Sequence, residues 1–160
     1  RRFNMAASAW QLYNEAKKYI GNGTIKLGAG VTTKFYMQLH TSASNASTFT
    51  LSVSNSVNNQ VAATGGYVAG GRALVPDTGL WIVNPANAKQ MKFTMSAIGI
   101  AFTASGATLE NIKFAVLRNS VSSGVGKVLC WCKLSSSEFD LASPNTLTVL
   151  PAATGIFTLT

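Results

Sequence analysis

Short segments in which apolar and polar side chains alternate are the feature of this chain that most limits its fold. In TKFYMQLH the apolar residues at alternate positions from Phe35 to Leu39 would face one side of a strand, and His40 would lie on the exposed, polar side. The runs TFTLSV and MKFTMSA repeat this period of two. Because a helix would need apolar residues at three- and four-residue steps, these runs predict half-buried β-strands.

Four further runs, rich in apolar and β-branched residues, are candidate strands. They are IKFAVLRN, KVLCWCKL, NTLTVLP and GIFTLT. Clusters of Gly, Asn, Ser and Pro separate the runs, and several spacings fall near the roughly 8–12 residues typical of sandwiches and barrels. The sequence therefore predicts a mainly β protein, a β-sandwich of jelly-roll or immunoglobulin-like type with about eight short strands and one N-terminal helix.

The segment from Asn4 to Ile20 carries the helical pattern. Trp10, Tyr13 and Ile20 belong to an apolar stripe at three- and four-residue steps. Asn4 is a candidate N-cap, and Gly21 supplies a stop. We expect the stripe to pack on the sheet or on a neighbouring subunit, because an isolated helix of about 15 residues is only marginally stable in water.

Length and composition favour one domain with a surface poor in charge. At 160 residues the chain is long enough to bury a core, and we predict an N-terminal arm and helix over residues 1–22, packed on a single β-sandwich domain over residues 23–160. Hydrophobic residues make up 47% of the chain and charged residues only 11%. This balance favours a protein whose surface meets other subunits over a freely diffusing enzyme. No apolar run approaches the roughly 20 residues of a membrane span, so no membrane partner is predicted.

The chain is strongly basic, but its basic residues are scattered. Thirteen Lys and Arg against five acids give a net charge of +8. Only Arg1-Arg2 and Lys17-Lys18 are adjacent, and most other basic residues fall singly along candidate strands. A nucleic-acid-binding surface more often shows a dense basic stripe with interleaved aromatic residues. The pattern favours solvated strand faces and a general attraction to acidic partners over direct nucleic-acid binding.

Residues that could form a catalytic, cofactor or metal site are scarce. His40 is the single histidine, and the five acids include one close pair, Glu138 and Asp140, in a Ser-rich segment that we predict as a loop. Gly126-Lys127 lacks the glycine at position 121 and the Ser or Thr at position 128 that a phosphate-binding P-loop requires. No nucleophile elbow of the form G-x-S-x-G occurs. We therefore predict no catalytic residue, no cofactor and no bound metal.

Cys130 and Cys132 lie two residues apart in a predicted strand. Their side chains would share one face, with Trp131 opposite, and their Cα atoms would lie roughly 6.5–7 Å apart. That distance is at the limit of a disulfide, and an extended backbone aims the two side chains in parallel. A zinc site would need two further ligands. The sequence thus predicts two buried free thiols.

The stretch TGGYVAGGRAL carries two glycine pairs, Gly65-Gly66 and Gly70-Gly71, on either side of a tyrosine. Glycine pairs can cradle a phosphate, form tight turns, or permit close backbone packing. This stretch lacks both a lysine and a following helical pattern, and it leads into the strand-like run RALVP. It therefore predicts turns that flank a short YVA segment.

The order of these pieces resembles a family of small tailed-bacteriophage virion proteins. The family shows a helix ending in a G-x-G-T-I-x-L turn and strand, then a strand ending in L-x-T-S, then G-Y-x-x-G-G-x-x-L. Specific matches cover the first half of the chain, and the second half agrees only in the rhythm of its strands. The matching residues are Gly21, Gly23, Thr24, Ile25, Leu27, Leu39, Thr41, Ser42, Gly66, Tyr67, Gly70, Gly71 and Leu74.

The resemblance implies a virion structural protein, a head decoration or cement protein that binds and stabilises the lattice of the major capsid protein. Such a protein would lie on the outer capsid surface after assembly in the host cytoplasm. Its partners would be the major capsid protein and copies of itself, which we expect to form a trimer. The alternatives are a tail, neck or fibre-attachment component, or a carbohydrate-binding β-sandwich that uses Trp81, Trp131 and Tyr67 as stacking faces.

Contacts with the coat are expected first at the basic terminus, which would be free to reach an acidic neighbour, and then at the loop from Tyr67 to Arg72. The apolar stripe of the predicted helix is a further candidate. The candidate interface residues are Arg1, Arg2, Phe3, Trp10, Tyr13, Tyr67, Gly70, Gly71 and Arg72.

Overall fold

The computed structural model describes the backbone of residues 2–6 and, with their side chains, residues 8–28, 33–120 and 125–160. This part of the chain is mainly β, with one α-helix, one short 3₁₀ turn at Ser54–Ser56 and twelve strands. The elements are β1 Arg2–Ala6, β2 Gln11–Leu12, α1 Asn14–Gly21, β3 Phe35–Thr41, β4 Arg72–Ala73, β5 Leu80–Val83, β6 Met91–Thr94, β7 Ile100–Thr103, β8 Leu109–Asn119, β9 Val128–Lys133, β10 Phe139–Leu141, β11 Thr146–Leu150 and β12 Phe157–Leu159.

The strands form three sheets. The largest has the order β2-β9-β8-β3-β4, with β10 also paired to β8, and the two smaller sheets have the orders β1-β11-β7 and β12-β6-β5. Every pairing is antiparallel except that of β1 with β11. Phe35 on β3 packs edge-on against Phe93 on β6, with ring centroids 5.1 Å apart, so two of the sheets meet through their apolar faces. The prediction of a mainly β, sandwich-type fold with one helix is confirmed.

Strands β3 and β8 form the centre of the largest sheet. They pair along the whole of β3, from Phe35 opposite Asn119 to Thr41 opposite Ile112. The alternating runs predicted β3 and β6 correctly, and the four further runs predicted β8, β9, β11 and β12. The sequence did not predict five strands: β1, β2, β5, β7 and β10. These strands are short or lack a clear alternation of apolar and polar residues.

The predicted helix from Asn4 to Ile20 is wrong for residues 4–6 and 8–13. The helix α1 begins only at Asn14, and its N-cap is Tyr13 rather than Asn4. The preceding residues form β1 and β2, which hydrogen-bond to β11 and β9. Sheet pairing satisfies the backbone groups of this segment and thereby overrides its weak helical pattern, because most helical stability in proteins comes from packing rather than propensity.

Trp10 and Tyr13 of the apolar stripe are nevertheless buried, and Ile20 is half-buried. Tyr13 is fully buried, and its hydroxyl donates a hydrogen bond of 2.6 Å to the carbonyl oxygen of Ala46. Trp10 is also buried and lies just before β2. Both side chains therefore belong to the core of the single chain, and the expectation that they would contact a coat protein is corrected.

Two other local predictions are wrong. TFTLSV is a succession of turns closed by hydrogen bonds from Thr48 N to Asn45 O and from Leu51 N to Thr48 O. It forms one bridge, between Val53 and Lys127, and its Phe49 ring packs against Trp131 of β9. The segment around Phe139, predicted as a loop, forms β10 and pairs with β8. Local turn bonds decided the structure of TFTLSV, whereas long-range pairing decided that of β10, and the local sequence pattern showed neither.

Substitution of Trp10 by Ala is expected to lower the free energy of unfolding by about 3–5 kcal/mol, because a large buried aromatic side chain leaves a cavity that the sheets cannot fill. Urea denaturation followed by fluorescence measures this change. The control is Val83→Ala on the exposed edge strand β5, which should change stability by less than about 0.5 kcal/mol. Equal stability of Trp10→Ala and the parent would contradict the packing described above.

Candidate functional site

The glycine-turn segment, defined as Thr64–Leu74, forms two tight turns. All four of its glycines have positive φ: Gly65 at 54°, Gly66 at 81°, Gly70 at 95° and Gly71 at 83°. A Cβ atom at Gly71 would lie 2.0 Å from the carbonyl oxygen of Met37. The prediction of turn glycines is confirmed, and the glycine at position 71 also permits the backbone to lie against β3.

Tyr67 anchors this segment to the core. Its ring is buried, and its hydroxyl oxygen accepts hydrogen bonds from Leu39 N at 2.9 Å and from Gln60 Nε2 at 2.7 Å. Burial raises the pKa of the Tyr67 hydroxyl above its usual range. On the other side of the segment, Arg118 donates from Nη2 to the carbonyl oxygen of Gly70 at 3.0 Å. Tyr67 is thus a structural anchor, and its place among the candidate interface residues is corrected.

A cavity of about 340 Å³ opens between the glycine-turn segment and β7. We call it the turn cavity. Its walls combine the apolar side chains of Tyr67, Val68, Phe102 and Leu109 with the polar side chains of Arg72, Thr103 and Ser105, and with Gly66. The rings of Tyr67 and Phe102 lie with centroids 6.0 Å apart. Arg72 is exposed and donates from Nη1 to the carbonyl oxygen of Ala101. The cavity therefore places apolar side chains, of which Val68 is the exposed one, beside a guanidinium group.

Exposed apolar side chains also occur outside this cavity, in β5, in the segment before it and in the turn after β6. We define the apolar strip as Val68, Val75, Leu80, Ile82 and Ile98, with exposed fractions of 66%, 48%, 36%, 41% and 73%. Hydrogen bonding connects its parts, since Ser96 N donates to the carbonyl oxygen of Val75 at 2.7 Å and Leu80 pairs with Thr94.

Leu80 and Ile82 project from β5, which lies at the edge of its sheet within the part of the chain that the structure describes. Such an edge leaves backbone groups available for pairing. The sequence predicted none of the strip residues other than the loop that carries Val68. A pattern of apolar residues does not show which of them remain exposed after folding, so the sequence contained no direct signal for the strip.

The basic terminus is only partly described. Arg1 lies outside the described residues. Arg2 and Phe3 belong to β1 and pair with Thr146 and Leu147 of β11. The backbone of these two residues is therefore tied into a sheet edge, which corrects the expectation of a free arm.

His40 is fully buried, contrary to the prediction of an exposed strand residue. One face of β3 packs on the neighbouring sheet, and the side that carries His40 lies under the segment of residues 42–58. There Nδ1 donates to the carbonyl oxygen of Asn58 at 3.0 Å, and Ser44 Oγ donates to the same oxygen at 2.7 Å. His40 Nε2 is buried, with no hydrogen-bond partner among the described residues. Burial lowers the pKa of the imidazole below 6.5.

The cysteines and acids occupy structural positions. Cys130 and Cys132 are buried and not joined, as predicted, and burial raises the pKa of both thiols. Asp77 forms an ion pair of 2.7 Å with Lys34, and Asp140 accepts a hydrogen bond of 2.8 Å from Asn111 N. Within residues 8–28, 33–120 and 125–160, no three His, Cys, Asp or Glu side chains cluster closely enough to hold a metal ion.

The aromatic residues suggested as sugar-stacking faces are mostly enclosed. Trp131 and Tyr67 are buried, and Trp131 packs edge-on against Phe114 with centroids 6.1 Å apart. Trp81 is half-buried beside Phe157, with centroids 6.3 Å apart. This arrangement offers no exposed aromatic platform at these three positions and so does not favour a carbohydrate site there.

Comparison of the chain with known protein families, with curated proteins and with solved structures gives no match. The resemblance of the first half to phage virion proteins therefore remains a hypothesis. Among the described residues, no helix is long and apolar enough to cross a membrane.

Gly71→Ala is expected to destabilise the protein far more than Gly106→Ala. Both glycines have positive φ, at 83° and 77°, so each alanine would carry backbone strain of about 1–2 kcal/mol. Only at Gly71 would the new Cβ collide with backbone, 2.0 Å from Met37 O, whereas nothing lies within 4 Å of a Cβ at Gly106. We expect an additional loss of about 1–3 kcal/mol for Gly71→Ala, measured by urea denaturation. Equal losses in the two variants would show that the backbones do not approach as described.

The free energy of unfolding should fall as the pH is lowered from 7.5 to 5.5. The folded protein holds the pKa of His40 below its unfolded value of 6.5, so the unfolded chain binds the proton more readily in this range. His40 is the single histidine, and its imidazole NMR signal should titrate with a midpoint below 6.5. The variant His40→Gln should show a flatter dependence of stability on pH. A midpoint of the imidazole titration at or above pH 6.5 would show that the folded protein does not favour the neutral form of His40.

Proposed function

We propose that this protein is a bacteriophage virion structural protein, a head decoration or cement protein that binds the lattice of the major capsid protein through the apolar strip. The observation that carries the proposal is the exposure of five apolar side chains, Val68, Val75, Leu80, Ile82 and Ile98. Single exposed apolar residues are ordinary on a protein surface. Larger groups of them mark surfaces that meet another molecule.

The chemistry of the strip suits a protein partner. Arg72 lines the turn cavity, Asp77 between Val75 and Leu80 is paired with Lys34, and Lys92 opposite Ile82 is buried, although the whole chain carries a net charge of +8. Interfaces are depleted in charged residues at their centre and enriched in arginine, whereas lysines accumulate at the rim and elsewhere on the surface. The edge strand β5 adds backbone hydrogen-bonding groups along the same surface.

Repetition would supply the strength of such binding. An oligomer, in our proposal a trimer, would touch several coat subunits at once, and each additional contact would benefit from a raised effective concentration. The net charge of +8 would attract an acidic shell over distances of about 10 Å at 0.1 M salt. Salt screens the attraction by net charge but leaves the repeated apolar contacts in place, so binding should weaken with added salt without disappearing.

A tail, neck or fibre-attachment role is the second candidate. The apolar strip would serve a protein contact in either location, so the distinction rests on where the protein is found in the virion. Immunogold labelling of intact particles separates the two roles. Gold would cover the whole head if the protein is a decoration protein, and would be found only at the tail or neck if it is an attachment component.

The variant Ile82→Ser/Ile98→Ser should bind undecorated capsid shells about tenfold or more weakly than the parent, measured by co-sedimentation over a range of concentrations. Both side chains are exposed, so the variant should fold normally. The control is Val83→Ser, which changes an exposed residue on the opposite face of β5, 55% exposed against 41% for Ile82 and 73% for Ile98, and should bind as the parent does. Failure of the parent to bind shells at any salt concentration, with labelling confined to the tail, would refute the decoration role.

A further inference from the structure

We propose that the turn cavity is a docking pocket for an apolar side chain that lies next to a carboxylate in the partner protein. The inference rests on the proposed function, because it names the chemistry of the partner segment that meets one end of the apolar strip. The apolar side chain would enter the cavity against Phe102, and the carboxylate would pair with Arg72 at the rim.

The floor of the cavity is suited to one large apolar group. Tyr67, Phe102 and Leu109 close the bottom with only 5%, 2% and 1% of their surfaces exposed, and Val68 at the rim is 66% exposed. A volume of about 340 Å³ lies near the lower end of the range for small-molecule sites, and is adequate for a single aromatic or long aliphatic side chain. Removing that side chain from water would supply the attraction.

Arg72 gives the pocket a preference for negative charge. Its Nη1 atom donates to Ala101 O, which fixes the direction of the guanidinium group, and an arginine has four further N–H donors. A carboxylate can accept two of them side by side. The hydroxyl groups of Thr103 and Ser105 line the same cavity, and none of the five acids of the chain does so.

The pocket is already formed in the single chain, which lowers the cost of binding. The positive φ angles of Gly66 and Gly70 fix the two turns. The hydroxyl of Tyr67 holds the segment between them to β3 through its hydrogen bond with Leu39 N. Side chains that are ordered before binding lose little further entropy when a partner arrives.

The test is an NMR titration of the ¹⁵N-labelled isolated protein with N-acetyl-L-phenylalanine, which combines an aromatic side chain with a carboxylate. Saturable shifts are expected at the amides of Gly66, Val68 and Ser105, with dissociation constants in the millimolar range typical of fragments of this size. N-acetyl-L-phenylalanine amide, which lacks the charge, and acetate, which lacks the ring, should each bind about fivefold or more weakly.

Arg72→Gln should weaken binding of N-acetyl-L-phenylalanine about fivefold and leave binding of the amide unchanged. Lys89→Gln, which removes an exposed positive charge outside the cavity, should have no effect on either probe. Equal binding of the acid and the amide would overturn the role of Arg72. Shifts that fail to saturate, or that centre elsewhere on the protein, would overturn the pocket itself.

This experiment is independent of the capsid assay. Saturable binding in the turn cavity, together with failure to bind shells, would uphold the pocket and refute the decoration role. Binding to shells by a protein that shows no saturable shifts would uphold the decoration role and refute the pocket.

Discussion

Backbone pairing between β3 and β8 holds most of the other elements in place. Strand β8 is eleven residues long and pairs with β3, β9 and β10. Its residues from Phe114 to Leu117 are all buried, so neither of its faces reaches solvent along that stretch. A strand enclosed in this way must satisfy every backbone group within the sheet, and its register is therefore tightly fixed.

The glycine-turn segment depends directly on this central pair. Gly71 lies against the backbone of Met37, and Tyr67 receives a hydrogen bond from Leu39, both in β3. Arg118 of β8 reaches the carbonyl oxygen of Gly70. A shift in the register of β3 and β8 would move all three contacts at once. The shape of the turn cavity is thus set by the core of the protein, although the cavity itself opens at the surface.

The edges of the sheets carry the surface that the proposed function requires. Central strands use their hydrogen-bonding groups within the sheet and bury their apolar side chains in the core, whereas β5 pairs on one side only among the described residues. Leu80 and Ile82 remain exposed there, and Ile98 lies in the turn that follows β6. In contrast, the polar groups around His40 are closed off beneath residues 42–58, where Ser44 and Asn58 bind one another. That region stabilises the core and makes it sensitive to acid.

The sequence by itself determined the class of the fold, the six strands with clear apolar runs, the burial of the two cysteines and the turns at Gly65-Gly66 and Gly70-Gly71. These are local consequences of side-chain alternation and of the conformations that glycine permits. Only the tertiary structure decided that Asn4 lies in a strand, that His40 is buried, and that Ile82 and Ile98 are exposed. Strand pairing and the covering of a face depend on residues distant in the chain. A local pattern can show that a side chain is apolar, but it cannot show what will lie on top of it.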